Sequence, residues 1–308
     1  MKTVLVTGAS GLLGREVARA FASRSDAASA IEWNVVGTAH SRAGGALRAL
    51  DLLDGDALDS LVAEVAPDAI IHCAAERRPD VGARDPAAMR RLNVDATGRL
   101  AAAAKRCGAW MVLVSTDYVF DGANPPYAED AATNPLNDYG RSKRDAELAM
   151  WAEADDAAVF RVPILFGPTC DTEESAVTAG VVRALFADPP KRRDCDAWAV
   201  RHPTCTTDVA AALRALADMR MREGASDKFR GNFHFSSPET MTKYDMAVEL
   251  AKFYGRDPSI LNPLPTQLPG AAPRPHDSTL ACARLDSLGI SPHTPFIAAL
   301  AASLPRSF

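Results

Sequence analysis

The sequence lacks an apolar run long enough to cross a membrane. No stretch of its 308 residues approaches the ~18 uninterrupted apolar residues of a transmembrane helix. It also lacks a basic surplus, because 34 Lys and Arg stand against 39 Asp and Glu. Proteins that bind nucleic acid more often carry such a surplus. The composition therefore argues against a membrane protein and against a nucleic-acid-binding protein.

Cysteine is infrequent, and its spacing matches neither a zinc site nor a disulfide framework. The six cysteines are scattered, and no two have CxxC spacing. In a chain of this length they are typical of buried thiols in a reducing compartment. The chain opens with a strand-like run, residues 3–7, where a secretory signal would have a basic region and an apolar stretch. We therefore expect a cytoplasmic protein without a metal site.

The sequence does contain an alternation of β-branched runs and alanine-rich amphipathic stretches. The predicted strands are residues 4–6, 34–38, 69–73, 110–115 and 158–162. The predicted helices are residues 12–23, 58–65 and 87–107, and one that follows residue 139. Apolar strands separated by helices predict a parallel sheet that is covered on both faces. With right-handed crossovers this is a doubly wound, Rossmann-type α/β fold.

The composition of the sequence changes at about residue 167, where prolines begin to cluster and strand-like runs become rarer. A helical pattern over 204–221 indicates a return to the large domain. We predict a dinucleotide-binding domain that comprises residues 1–166 and about 204–230. A smaller, partly discontinuous lobe would comprise about 167–203 and 231–308. Two units agree with the length of the chain.

A glycine motif, TGASGLLG at 7–14, directly follows the first predicted strand. Gly8 permits the tight turn, Gly11 lets the backbone approach a pyrophosphate, and Gly14 allows close packing of helix and strand. The start of the next helix adds unpaired N–H groups. The alternative is a glycine-rich turn without a ligand. The order of strand, motif and helix favours a dinucleotide site.

The end of the second predicted strand indicates which dinucleotide is bound. NAD sites usually carry an acidic residue there, whereas the 2′-phosphate of NADP requires a cation. This chain has Ser41, Arg42 and Ala43 and no acid. We predict NADP, with Arg42 donating to the phosphate; the alternative is a solvated surface arginine. Asp51 and Leu52 follow a further predicted strand and would bracket the adenine.

A tyrosine and a lysine four residues apart form a third motif, YGRSK at 139–143. Residues at this spacing are neighbours on a helix, so Lys143 is expected to lower the pKa of the Tyr139 phenol. Tyr139 would protonate a carbonyl oxygen while hydride arrives at its carbon, and Thr116 would share that oxygen. Lys143 would also hold the nicotinamide ribose. The alternative is an ordinary exposed helix.

Three motifs together resemble the extended short-chain dehydrogenases/reductases of the dTDP-4-dehydrorhamnose reductase branch. They are TGASGLLG, STDYVFDG at 115–122 and YGRSK, and RPHDSTL at 274–280 is similar to the substrate-lobe signature of that branch. The block HCAAERRPD at 72–80 resembles, more narrowly, the regulatory β subunits of methionine adenosyltransferase. Further similarities to these subunits are NPPY at 124–127, RVPILFG at 161–167, EESAVT at 173–178, RHPT at 201–204 and MTKY at 241–244.

The resemblance implies an NADP site and a protein partner. The implied NADP contacts are Ser10, Gly11, Leu12, Leu13, Ser41, Arg42, Ala43, Asp51, Leu52, Cys73, Arg77, Tyr139 and Leu165. For Glu76 and Arg77 an ion pair within their loop is the alternative. The implied partner is the catalytic subunit of methionine adenosyltransferase, in a hetero-oligomer that tunes S-adenosylmethionine synthesis.

Two alternatives to this function stay open. One is a working NADPH-dependent dTDP-4-dehydrorhamnose reductase, since Thr116, Tyr139 and Lys143 are all present. The other is an NADP sensor with a different partner. The β subunits continue past their final helix into a tail that inserts into the catalytic subunit, whereas this sequence ends at Phe308. The resemblance therefore does not specify how the partner would be bound.

Overall fold

The computed structural model describes residues 1–23, 31–42, 44–169, 171–267 and 270–304. Over these residues a parallel sheet has seven strands in the order β10-β6-β5-β4-β1-β2-β3. These strands are β1 Lys2–Thr7, β2 Trp33–Ala39, β3 Arg48–Ala49, β4 Ala69–His72, β5 Trp110–Thr116, β6 Ala157–Val162 and β10 Gly231–His234. The order reverses beside β1, so the predicted doubly wound Rossmann-type fold is confirmed.

Helices cover both faces of this sheet. They are α1 Leu12–Ala22, α2 Gly55–Val65, α3 Pro79–Gly82, α4 Pro86–Arg90, α5 Ala96–Cys107, α6 Asp138–Glu153 and α8 Thr206–Glu223. Within the described part of the chain, no helix is long and apolar enough to span a membrane.

Side chains alternate across β1 and so contribute to two separate cores. Val4 and Val6 pack in the core formed with α1 and α8. Leu5 packs in the core formed with α2, α5 and α6. Because β1 lies in the middle of the sheet and is buried on both faces, its carboxyl end, where the glycine motif begins, is held by both cores.

The helix predicted over 87–107 is confirmed, but it is not α-helical throughout. A π-helical turn, Arg91–Asp95, lies between α4 and α5. Asn93 in this turn donates from Nδ2 to the Ser142 hydroxyl at 2.9 Å and to the Glu76 carbonyl at 3.0 Å. These bonds tie the turn to α6 and to the segment after β4. Such π insertions often occur beside functional sites.

The smaller lobe has its own core. Its elements are β7 Leu165–Phe166, α7 Val181–Phe186, β8 Arg193–Asp196, β9 Thr204–Cys205, α9 Lys243–Phe253, β11 Leu261–Leu264 and α11 Phe296–Ser303. Phe166, Leu250 and Phe296 are buried together in this core. Its strands form two short parallel pairs, β7 with β9 and β8 with β11.

The predicted boundary at residue 230 is wrong. Strand β10 pairs with β6 at the edge of the large sheet, with Phe233 opposite Phe160. Helix α10, Ala283–Ser287, follows, and its Leu285 is buried in the same core as α1 and α8. Strand β10 and helix α10 therefore belong to the large domain, although the prediction assigned both to the smaller lobe. The reason is physical: a four-residue strand gains its burial from β6, which the local sequence does not reveal.

Candidate functional site

The glycine motif forms a tight turn between β1 and α1. Gly8 has a φ of +68°, and its carbonyl accepts from the Gly11 N–H at 2.9 Å. A Cβ on Gly14 would lie 2.2 Å from the Gly8 carbonyl oxygen, so helix and turn are in direct backbone contact. A Cβ on Gly11 would have its nearest neighbour at 3.2 Å. Gly14 is therefore needed for packing, whereas Gly11 leaves space above the turn.

The start of α1 is suited to hold an anion. The helix has no side-chain cap and no acidic residue in its first turn. Its first N–H groups and its dipole therefore favour a negatively charged ligand. They face a cleft of about 620 Å³ along the carboxyl ends of the strands. A large cleft at this edge of a doubly wound sheet is the usual position of a ligand.

This one cleft brings together the predicted site residues of the described chain. Those on its wall are Gly8, Ser10, Gly11, Leu12, Leu13, Gly14, Ser41, Arg42, Asp51, Leu52, Cys73, Arg77, Thr116, Tyr139, Lys143 and Leu165. The prediction for Ala43 lies outside the described residues.

The end of β2 carries an arginine that is already paired. Arg42 is 56% exposed and forms an ion pair with Glu174 of the smaller lobe. Glu174 belongs to the EESAVT motif, but nothing in that motif assigns it a role. The two residues are 132 positions apart, so no local sequence pattern predicts this ion pair. Asp51 stabilises the turn in which it lies, because its carboxylate accepts a hydrogen bond from the Leu53 N–H at 2.9 Å.

The tyrosine and the lysine of the third motif lie on the first turns of α6. Asn137 caps this helix by accepting from the Gly140 N–H at 2.8 Å. Tyr139 is half-buried, whereas Lys143 is only 3% exposed. Burial lowers the pKa of the Lys143 ammonium to about 8, although the Glu147 carboxylate opposes the shift. The alternative of an ordinary exposed helix is therefore wrong for Lys143.

The expectation that Lys143 lowers the pKa of Tyr139 is wrong for this structure. Burial raises the pKa of the Tyr139 phenol above its ordinary value. A hydrogen bond with Thr116 opposes this shift, and the negative charge of Asp117 adds to it. The helical spacing correctly placed the lysine near the tyrosine but did not reveal how dry the surroundings are. Tyr139 is therefore a protonated phenol at neutral pH, which is the form that donates a proton.

Asp117 is a buried acid in the cleft wall that sequence reasoning missed. It follows β5, and its carboxylate accepts from the Thr116 hydroxyl at 3.0 Å and from the Ser278 hydroxyl at 2.5 Å. Burial raises the pKa of this carboxyl, while Ser278 and the Arg201 guanidinium oppose the rise. Its position directly after Ser115 and Thr116 was the signal available in the sequence.

The alternative for Glu76 and Arg77, an ion pair between the two within their loop, is not formed in the described structure. Glu76 instead accepts from Nε and Nη2 of Arg78 at 2.8 and 2.6 Å. Arg77 donates to the backbone carbonyl of Glu174 at 2.5 Å. Because the carboxylate of Glu76 pairs with the residue two positions on, Arg77 is directed to the cleft wall.

Two further cations line the part of the cleft formed by the smaller lobe. Lys243 starts α9, and burial together with the neighbouring Arg274 and Arg201 guanidinium groups lowers its pKa to about 8. Arg274 pairs with Asp80 at 2.9 Å. Lys243 and Arg274 belong to the MTKY and RPHDSTL motifs, but nothing in the sequence placed them together.

This architecture defines a class. A Rossmann sheet whose cleft holds a glycine turn, a strand-end threonine and a Tyr–Lys pair is that of the short-chain dehydrogenases/reductases. A family model described as the RmlD substrate binding domain matches residues 1–307, and the chain belongs to this family.

The curated relatives include proteins of two kinds. The chain is 42% identical to methionine adenosyltransferase 2 subunit beta of Bos taurus over 295 residues, 96% of this chain and 85% of that protein. With the protein of the same name from Danio rerio it shares 42% over 305 residues, 98% of this chain and 90% of that one. It is 32% identical over 308 residues to a probable dTDP-4,6-dihydroxy-2-methyloxan-3-one 4-ketoreductase of Streptomyces antibioticus, covering 98% and 94%.

Solved structures confirm the fold. A dTDP-4-dehydrorhamnose reductase from Clostridium acetobutylicum superposes with a TM-score of 0.81 at 25% identity, covering 98% of both chains. The Bacillus anthracis dTDP-4-dehydrorhamnose reductase in complex with NADP has a TM-score of 0.81 at 22% identity, with 98% of each chain covered.

Proposed function

We propose that the protein is an NADP-binding regulatory subunit of methionine adenosyltransferase, which binds the catalytic subunit and tunes S-adenosylmethionine synthesis. The observation that carries this proposal is the 42% identity to subunits of that name over 96% of the chain. Identity to the ketoreductase is lower, at 32% over a similar length. The similarity includes loops and the smaller lobe, where packing of a Rossmann sheet does not dictate the residues.

Three features of the cleft support NADP as the cofactor. The first is the space above Gly11, which a side chain would fill. The second is the uncapped start of α1, which would receive the pyrophosphate. The third is Arg42, which lines the cleft three residues after the end of β2 and would pair with the 2′-phosphate. When bound, NADPH supplies a hydride; Lys143 would hold its ribose.

A reductase is the second candidate, and a specific observation favours it. Thr116, Tyr139 and Lys143 all line the cleft. Tyr139 carries a proton at neutral pH, as a donor to a carbonyl oxygen must, although its raised pKa makes it a weaker acid than an ordinary phenol. The substrate would be a nucleotide-linked sugar with a 4-keto group.

We place the protein in the cytoplasm. Support comes from its thiols, which among the described residues are free at Cys73, Cys107, Cys195, Cys205 and Cys282. Unpaired thiols are usual in a reducing compartment.

The deciding experiment is co-purification with the catalytic subunit of methionine adenosyltransferase, with and without NADPH. We expect a stable complex, and synthetase kinetics that change when it forms. A parallel assay follows NADPH oxidation with dTDP-4-dehydrorhamnose. Turnover at ordinary enzymatic rates, without any complex, would refute the regulatory function and support the reductase.

A further inference from the structure

Glu174 lies between two arginines at the mouth of the cleft. Its carboxylate accepts from Nη1 and Nη2 of Arg15 at 3.1 and 2.7 Å, and it also pairs with Arg42. The Thr169 hydroxyl donates to it at 3.0 Å. One carboxylate of the smaller lobe thus contacts α1 and the end of β2 together.

The segment that carries Glu174 is firmly anchored. The hydroxyl of Ser175 donates to the Leu165 carbonyl at 3.0 Å, and that of Thr178 to the Thr172 carbonyl at 2.6 Å. Ser175, Val177 and Thr178 are buried. The carboxylate is therefore held in place by its own lobe, independently of Arg42.

The two arginines differ in how tightly they are held. Arg15 is 19% exposed and also donates to the Ser10 carbonyl at 2.8 Å. Arg42 is 56% exposed, and Glu174 itself is 11% exposed. Since Arg15 remains to neutralise the carboxylate, the exposed Arg42 is the partner that can leave at low cost.

We propose that Glu174 determines cofactor selectivity by competing, as an internal anion, with the 2′-phosphate of NADP for Arg42. This inference rests on the proposed NADP binding. Arg42 must exchange one anion for another when a 2′-phosphorylated cofactor binds, so the binding free energy is offset in part by the loss of its ion pair with Glu174. A cofactor with a free 2′-hydroxyl requires no such exchange. Glu174 thus weakens NADPH binding selectively and keeps the site exchangeable.

The charge of Glu174 is present across the physiological pH range. Burial opposes ionisation, but hydrogen bonds from Arg15 and Arg42 hold the pKa of Glu174 at about 2. Replacement by glutamine removes the charge and keeps the shape of the side chain.

The test is an equilibrium titration of full-length Glu174→Gln with NADPH and with NADH. We expect NADPH affinity to rise about twofold to fivefold, the upper part of the range for one exposed ion pair, and NADH affinity to stay unchanged. Glu173→Gln is the matched control, because Glu173 pairs with Arg183 at 2.8 Å and is absent from the cleft wall. The control should leave both affinities unchanged.

The same substitution made in an Arg42→Ala variant separates competition for Arg42 from a general structural effect of changing Glu174. In Arg42→Ala, addition of Glu174→Gln should no longer change the ratio of NADPH to NADH affinity. If glutamine impairs folding, Glu174→Asp retracts the carboxylate from Arg42 and should raise the ratio by a smaller factor. An unchanged or lower NADPH affinity in a folded Glu174 variant would overturn the inference while leaving NADP binding intact. If the unaltered protein binds neither cofactor, the proposed NADP site itself fails.

Discussion

The Asp117 carboxylate accepts a 2.5 Å hydrogen bond from the Ser278 hydroxyl, 161 residues further along the chain. Both side chains are buried. The bond joins the end of β5, beside Thr116 and Tyr139, to the segment that precedes α10. The geometry of the cleft wall therefore depends on how the C-terminal third of the chain packs.

Loss of this bond should destabilise the protein. Ser278→Ala leaves a buried carboxylate with one donor fewer, which costs about 1–3 kcal/mol. The measurement is the free energy of unfolding from urea titration at pH 7. Ser287→Ala is the control, because its exposed hydroxyl donates only to the Arg284 carbonyl at 2.7 Å. Equal effects of the two substitutions would show that Asp117 does not depend on Ser278.

Substitutions at two glycines of the motif should affect different properties, cofactor binding at Gly11 and folding at Gly14. Among the described residues, a Cβ at Gly11 would have the Gly8 carbonyl oxygen, at 3.2 Å, as its one neighbour within 4 Å, so Gly11→Val should keep the fold and abolish NADPH binding. Gly14→Val places a Cβ 2.2 Å from the same carbonyl and should prevent stable folding. Circular dichroism and thermal melting report the fold, and titration reports binding. Retained NADPH affinity in Gly11→Val would show that the turn does not hold the pyrophosphate.

Arg42 should confer preference for the phosphorylated cofactor. Charge-assisted bonds to a 2′-phosphate are worth about 1.5–3 kcal/mol, so Arg42→Ala should weaken NADPH about tenfold to a hundredfold. NADH affinity should change little. Arg48→Ala is the control, because Arg48 pairs with Glu64 at 2.7 Å and is absent from the cleft wall. Equal affinity of the unaltered protein for NADPH and NADH would remove this idea.

Buried Lys143 should make stability depend on alkaline pH. Its folded-state pKa of about 8 lies below the ordinary 10.5. Between these values the unfolded chain binds a proton that the folded state has released, so stability rises with pH there. Below about pH 8 the buried ammonium carries its full cost.

The corresponding variant is Lys143→Met, which removes the charge and keeps the chain length. We expect it to exceed the unaltered protein in stability by about 1–3 kcal/mol at pH 7, with the gap closing by pH 10. Paired urea titrations at the two pH values measure it, with Lys105→Met on the exposed face of α5 as control. A gap of the same size at both pH values would show that the buried charge of Lys143 is not its cause.

The sequence predicted the parts of this molecule that depend on local pattern. Apolar strands such as Trp110–Thr116, the glycine turn and the helical Tyr–Lys spacing follow from residues close together in the chain. Contacts between distant segments were not predictable in this way. The return of β10 to the sheet and the Glu174–Arg42 pair depend on partners far away in sequence. Burial is likewise a property of the assembled fold. For this reason the predicted direction of the Tyr139 pKa shift was wrong.

Tyr139 provides the test between a regulator and a reductase. Removing the phenol hydroxyl in Tyr139→Phe takes away the proton donor, which for a reductase lowers turnover by about 10²–10⁴. For a regulatory subunit, association with the catalytic subunit should stay unchanged, because this side chain lies inside the cleft. Lys143→Ala should weaken NADPH binding in either case. We expect the regulatory outcome, measured by complex formation and NADPH titration on the same preparations. A large loss of sugar-reductase turnover in Tyr139→Phe would establish the protein as a catalyst instead.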